Sequence, residues 1–274
     1  MHFKIVLSAV TFMIFCQQIA MGQQLCTETN FSFKGGEEVT YTAYYNWSFI
    51  WVDAGEVVFR TTETTYKNQD VFHLYSYGTS HKKYDWFYKV RDRFECFIDR
   101  KTLKPYHFER ENYEGGYEVH NIYDFDQECN KIYAATKNSD KPLTLDTLEY
   151  TPCTFDVLSV IYQSRNIDYT KYKVDEKIPV TIVLDGKIYN LYLRYLGKET
   201  IELKSKRKFN CIKFSPLLVE GTMFNGGEDM VVWVTDDRNR IPVLVEAKIL
   251  VGSVKAVLKD TKGIRNEIVA EVFD

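Results

Sequence analysis

The chain has 274 residues, of which 45% are hydrophobic, 27% charged and 15% aromatic, with a formal net charge of −3. Enough apolar material for a sizeable core excludes a disordered or low-complexity chain. The mild, mixed charge gives no concentrated basic patch of the kind that nucleic acid or an anionic membrane surface requires.

In chain order, residues 1–22 come first. Lys4 precedes an apolar run from Ile5 to Phe15, and Ala20-Met21-Gly22 supplies small residues at both specificity positions. This pattern is expected to be a secretory signal peptide cleaved after Gly22. The apolar run is too short to span a bilayer, and Phe15 before Cys16 is too bulky for lipoprotein processing. Losing Lys4 with the leader leaves 34 cations against 38 acids, a net charge of −4. The mature chain is expected to be exported to the periplasm or cell envelope, unlipidated and without a transmembrane segment.

Strand signals dominate the rest. "EEVTYTAYY" (37–45), "AGEVVFRTT" (54–62), "DVFHLYSYG" (70–78), "RFECFID" (93–99), "PYHFEREN" (105–112) and "GYEVHNIYDF" (116–125) alternate β-branched or aromatic residues with polar ones. That is the signature of half-buried strands. "SHKKYDWFYKV" (80–90) holds a short helical turn at most. "TPCTFDVLSVIYQSRNI" (151–167) carries apolar residues at mainly helical spacing, with Thr154 as the expected N-cap and Asp156 in the first turn. Beyond it, "IPVTIVLDGKIYNLYLRYLG" (178–197) contains Asp185-Gly186 between two alternating runs, a strong hairpin signal. "TIELKS" (200–205) and "FNCIKFSP" (209–216) follow.

Residues 97–116 and 234–253 echo each other at a constant offset of 137: Asp99 meets Asp236, Pro105 meets Pro242 and Gly115 meets Gly252. Both segments read as strand, polar turn, Pro-started strand, glycine, strand. The expected fold is therefore mainly β and antiparallel. Two related meander halves (23–150 and 174–274), as curved sheets or half-barrels, are joined by a helical connector (151–173).

Five cysteines remain after the leader: Cys26, Cys96, Cys129, Cys153 and Cys211. An exported protein can oxidise them. Cys129 and Cys153 both fall in polar connecting segments and are the expected bridge. Cys96 and Cys211 lie in strands and read as buried thiols.

The chemical motifs are sparse. Asp236 and Asp237 in "DDRNR" sit at a hairpin tip, where Asp and Asn cap nearby amides. A catalytic acid pair is instead held across a substrate by different elements. His73, His81, His107 and His120 form no H-E-x-x-H motif, and no metal site or cofactor is indicated. Ser159 on the helix has no surrounding nucleophile motif. Trp47 and Trp51 near an early turn, and Trp86, Phe87 and Tyr88 in the ambiguous stretch, are the candidate ligand-binding residues. Aromatics at loops can bind glycans, lipids or peptides.

"FKGGEEVTYTAYYNWSFIWVDAGEVVF", "RFECFIDRKTLKPYHFERENYEGGY", "FDVLSVIY" and "VVWVTDDRNRIPVLVEAKILVGSVKAVL" resemble, in order, the blocks of the domain-of-unknown-function 3108 family. The resemblance covers nearly all of the mature chain. It implies an exported protein of Gram-negative bacteria, often of the Bacteroides type, and it carries over no catalytic residue. Together these features point to a non-enzymatic binding protein for an apolar or lipid-like, amphipathic envelope ligand. One alternative is an envelope glycan or peptide hydrolase, which requires Asp99, Asp236 or Glu246 to converge. The other is a structural subunit of an envelope assembly, using an exposed sheet edge.

Overall fold

The structure is a computed structural model describing residues 26, 29–47, 50–220, 225–249 and 252–273. The expected signal peptide lies outside the described residues. The first half contains β1 (Glu38–Trp47), β2 (Ile50–Tyr66), β3 (Gln69–Ser80), β4 (Val90–Asp99), β5 (Pro105–Glu114), β6 (Tyr117–Asp126), β7 (Lys131–Asn138) and β8 (Lys141–Glu149). The connector holds β9 (Thr154–Phe155) and α1 (Val157–Ser164). The second half contains β10 (Lys177–Leu184), β11 (Lys187–Glu202), β12 (Lys208–Pro216), β13 (Leu218–Glu220) and β14 (Asn225–Gly227). It continues with β15 (Met230–Thr235), β16 (Pro242–Lys248), β17 (Ser253–Lys262) and β18 (Glu271–Val272).

The two meanders are present, but they form one sheet rather than two. Its order is β8-β7-β6-β5-β4-β3-β2-β1-β17-β16-β15-β12-β11-β10-β9, with β18 alongside β12 and β13–β14 as a separate ribbon. Within each half, successive strands pair antiparallel, except that β12 passes over the β13–β14 ribbon to pair with β15. β1 and β17 join the halves antiparallel, Glu38 opposite Lys262. The edges β8 and β9 do not pair with each other, so the sheet curls without closing.

Local turn chemistry sets these hairpins. Asp185 (φ 49°) and Gly186 (φ 70°) form the two-residue link between β10 and β11, as Asp-Gly favours. The echoed turns match in detail. Leu103 (φ 58°) and Arg240 (φ 49°), again 137 apart, are both left-handed, and Pro105 and Pro242 start β5 and β16. Asp99 Oδ1 accepts from the amides of Lys101 and Thr102, and Asp237 Oδ1 accepts from those of Asn239 and Arg240. The capping acid of the second turn is thus Asp237, one place on from the offset partner Asp236.

The curl brings the tip of the β10–β11 hairpin onto the inner face of the first half. Asp185 Oδ1 accepts from Arg110 Nη2 at 2.7 Å and Asn121 Nδ2 at 2.9 Å. The Gly186 amide donates to Tyr123 Oη at 3.2 Å. Val183 is buried among Leu74, Phe108, Tyr123 and Ile132.

Helix α1 lies within the curl, packed against β3, β4 and β10. Its N-cap is Asp156, not the expected Thr154. Thr154 is drawn into β9, parallel to β10 opposite Thr181. Asp156 Oδ1 accepts from the amides of Leu158 and Ser159, and the Asp156 amide donates to Ser159 Oγ. This capping box contributes about 1 kcal/mol. Ser159 is therefore a capping residue, and Cys96 Sγ donates to Asp156 Oδ2 at 3.0 Å, fastening the cap to β4.

The cysteine pairing differs from the expectation. Cys153 is bonded to Cys26, and Cys129 is exposed and free. Asp126 Oδ1 accepts the amide of Cys129 in the β6–β7 turn, whereas Cys153 precedes β9. Polarity of the surrounding segment therefore did not identify the partner. Cys96 and Cys211 are buried thiols, as expected.

Candidate functional site

Between the sheet and α1 lies a half-open cavity of about 500 Å³, within the ~300–1,000 Å³ range of small-molecule sites. Its walls come from both meanders: Val57 and Phe59 on β2, Phe94 on β4, Leu191 on β11 and Leu217 after β12. Leu158 and Ile161 of α1 line it too. The lining is overwhelmingly apolar. Ile161 is 38% exposed, and it faces this space.

One acid interrupts the apolar wall. Strand alternation places Asp92 on the same face of β4 as Phe94, Cys96 and Ile98, opposite Arg91, Arg93 and Glu95. Asp92 Oδ1 is shielded from solvent and has no hydrogen-bond partner. Burial pushes its carboxyl from an ordinary 3.8 up to about 7, and Glu114 adds to the rise, against the Tyr113 amide and Arg110. Glu114 is itself raised by burial and accepts from Asn112 Nδ2 at 3.2 Å. The cavity thus has apolar walls and one polar corner, at Asp92.

A raised carboxyl favours the fold when protonated. Its contribution is fully present below the unfolded value near 3.8 and is lost as pH rises through about 7. Stability is therefore expected to fall over that interval, and Asp92→Asn to flatten the fall. Urea midpoints at several pH values check this. A slope of the same size in the variant places the titrating group elsewhere.

The five aromatics chosen from the sequence occupy other places. The Trp47 side chain is outside the described residues. Trp51 lies under Lys255 Nζ, 4.4 Å from its ring centroid. Trp86, Phe87 and Tyr88 are exposed on the loop between β3 and β4. None of these four described side chains lines the cavity. The loop nevertheless adjoins it. Gly78, at the end of β3, pairs with Asp92 near the start of β4, and both line the cavity. Tyr88 packs on Gly115, where an added Cβ would meet its ring at 2.3 Å. Burial raises the Tyr88 phenol, and the charges of Glu114 and Asp92 raise it further.

A second concavity, about 580 Å³, lies on the outer face against β4, β5 and β6. Glu109, Glu111 and His120 there are close enough together to hold a metal ion. Arg93 already serves both carboxylates, at 3.5 Å from Glu109 and 2.8 Å from Glu111, and reaches Glu95 at 2.5 Å. His120 Nε2 lies 2.9 Å from Glu109. This is a cross-strand ladder of opposite charges, the ordinary dressing of an exposed sheet face.

The acids that a hydrolase would need do not converge. Asp99 caps its own turn, Asp236 pairs with Lys198 and Arg240, and Glu246 pairs with Lys255. Asp237 is buried and bound to Thr235 Oγ1.

The family model described as "Protein of unknown function (DUF3108)" matches residues 40–259. The chain belongs to this family. No functionally curated protein matches the sequence. The DUF3108 chain is similar in fold to a β-barrel-like protein of the domain of unknown function DUF1849 from Brucella abortus. The TM-score is 0.54 at 11% identity, over 84% of this chain and 98% of that one. At that identity the likeness concerns the fold alone. Among the described residues of the DUF3108 chain, no helix is long and apolar enough to cross a membrane.

Proposed function

We propose that the protein is a non-enzymatic, exported binding protein of the periplasm or cell envelope. It takes an apolar or amphipathic small molecule into the cavity between the two meanders. The observation that carries this reading is the solvent-connected, apolar-lined space of about 500 Å³. A fold that needed only a packed core would fill it, because interiors otherwise pack like organic crystals. Asp92, whose Oδ1 is shielded from solvent and has no hydrogen-bond partner, suits the polar end of an amphiphile. The Cys26–Cys153 bond suits an oxidising compartment.

Native mass spectrometry of material co-purifying with the protein, followed by displacement of a fluorescent acyl-chain probe, tests the reading. Wild type is expected to bind the probe. Ile161→Trp, which fills the space from α1, is expected to lose at least about tenfold in affinity, ~1.4 kcal/mol. Equal probe binding by wild type and the filled variant refutes the cavity as the site.

A further inference from the structure

The loop of residues 81–89 has features that fold stability does not account for. Trp86 is 83% exposed and Phe87 53%, their rings 5.9 Å apart in an edge arrangement. Large aromatics normally bury most of their surface. The loop that presents them is firmly built. Ser80 Oγ donates to Asp85 Oδ1 at 2.6 Å, and Arg91 Nη2 pairs with Asp85 Oδ2 at 2.6 Å. The amides of Phe87 and Tyr88 both donate to the Tyr84 carbonyl, and Tyr88 is seated on Gly115. The pedestal thus leaves most of the Trp86 ring and part of the Phe87 ring open to water.

The loop itself is rich in cations, although Asp53 pairs with His81 at its base. Lys82, Lys83 and Lys89 are exposed, and the loop's one acid, Asp85, is neutralised by Arg91. The whole-chain balance of −3 concealed this local cluster, and with it the exception to the expectation that nothing here favours an anionic membrane surface.

We propose that this loop docks the protein on an anionic lipid bilayer, with Trp86 and Phe87 entering the headgroup–acyl boundary and Lys82, Lys83 and Lys89 facing lipid phosphates. Tryptophan concentrates at that boundary because its ring is amphipathic. Each lysine near an anionic surface adds attraction, and the long lysine stems let the ammonium groups remain at headgroup level. A protein partner would also accept exposed aromatics. Three exposed lysines on the same short loop as two exposed aromatic rings match an anionic lipid surface better than a protein interface, whose core is depleted in lysine. The loop adjoins the Gly78–Asp92 corner of the cavity, so docking would bring that corner to the membrane. Docking is nonetheless independent of whether the cavity holds a ligand.

The full mature chain is tested by co-sedimentation with phosphatidylcholine vesicles, with and without phosphatidylglycerol. Binding is expected only to the anionic vesicles and is expected to weaken with salt. Lys82→Glu with Lys83→Glu should reduce partitioning at least about 30-fold. Trp86→Ser with Phe87→Ser should reduce it about tenfold or more. These side chains are exposed, so unchanged circular dichroism and urea midpoints confirm that the variants are folded. The cavity-filled Ile161→Trp protein should still bind vesicles, which separates this proposal from the ligand reading. No binding to anionic vesicles, or binding that all the loop variants retain, overturns it. So does loop-dependent capture of a protein without vesicle binding.

Discussion

Arg165→Met is expected to destabilise the protein by about 3–5 kcal/mol, because it leaves a buried carboxylate without its partner. Arg165 directly follows α1, and its side chain is 4% exposed against 1% for Glu37. Nη1 reaches Glu37 Oε1 at 2.5 Å and Nη2 reaches Oε2 at 3.0 Å. Nε donates to the Asn239 carbonyl at 3.0 Å and Nη2 to the Ser32 carbonyl at 3.3 Å. The rings of Phe33 and Tyr162 flank the guanidinium at 5.6 and 5.5 Å. One side chain therefore fastens the segment before β1, the connector and the "DDRNR" turn. Removing both charges together, as Glu37→Leu with Arg165→Met, is expected to cost less than the sum of the single losses, since neither partner is then stranded. Denaturant midpoints analysed as a double-mutant cycle measure this coupling. A single-variant loss below about 1 kcal/mol, the range of exposed pairs, contradicts the expectation.

Cys26→Ser is expected to lower stability by about 4–5 kcal/mol in the chain-entropy view. The bond joins residues 127 apart and so removes a large share of the unfolded chain's freedom. Reductant should reproduce the loss in wild type and have little effect on the variant. Cys129→Ser, at an exposed free thiol, should change stability by no more than about 0.5 kcal/mol. Peptide mapping of a non-reduced digest checks the pairing directly. A linked Cys129–Cys153 peptide would restore the bridge expected from the sequence.

Features that depend on neighbouring residues were legible in the sequence. Asp185-Gly186 announces its hairpin, and Pro105 and Pro242 mark the starts of echoed strands. Alternation identifies most of β2 through β6. Features that depend on distant residues were not. Nothing near Glu38 or Lys262 signals that β1 and β17 pair, so two meanders were legible and their fusion into one sheet was not. Glu37 and Arg165 lie 128 residues apart, and Cys26 gives no local sign of Cys153. The cavity walls combine short apolar stretches from strands that meet only after the sheet curls. One component was readable. Asp92 falls on the apolar parity of "RDRFECFID", an acid on the face that carries Phe94, Cys96 and Ile98, and that mismatch is the sequence trace of the polar corner.

The pairing of β1 with β17 at the middle of the sheet also shapes how the chain folds. The first meander consists of successive local hairpins, each needing only its sequence neighbour to pair. The neighbour of β1 on its other side is the last long strand made. Until residues 253–262 arrive, the first half therefore presents an unsatisfied strand edge, the kind of surface that recruits other chains. Cys26 and Cys153 both lie outside β17, so their bond ties the ends of the first meander together independently of that pairing. The pairing of the first strand with β17 is the long-range contact expected to slow folding most.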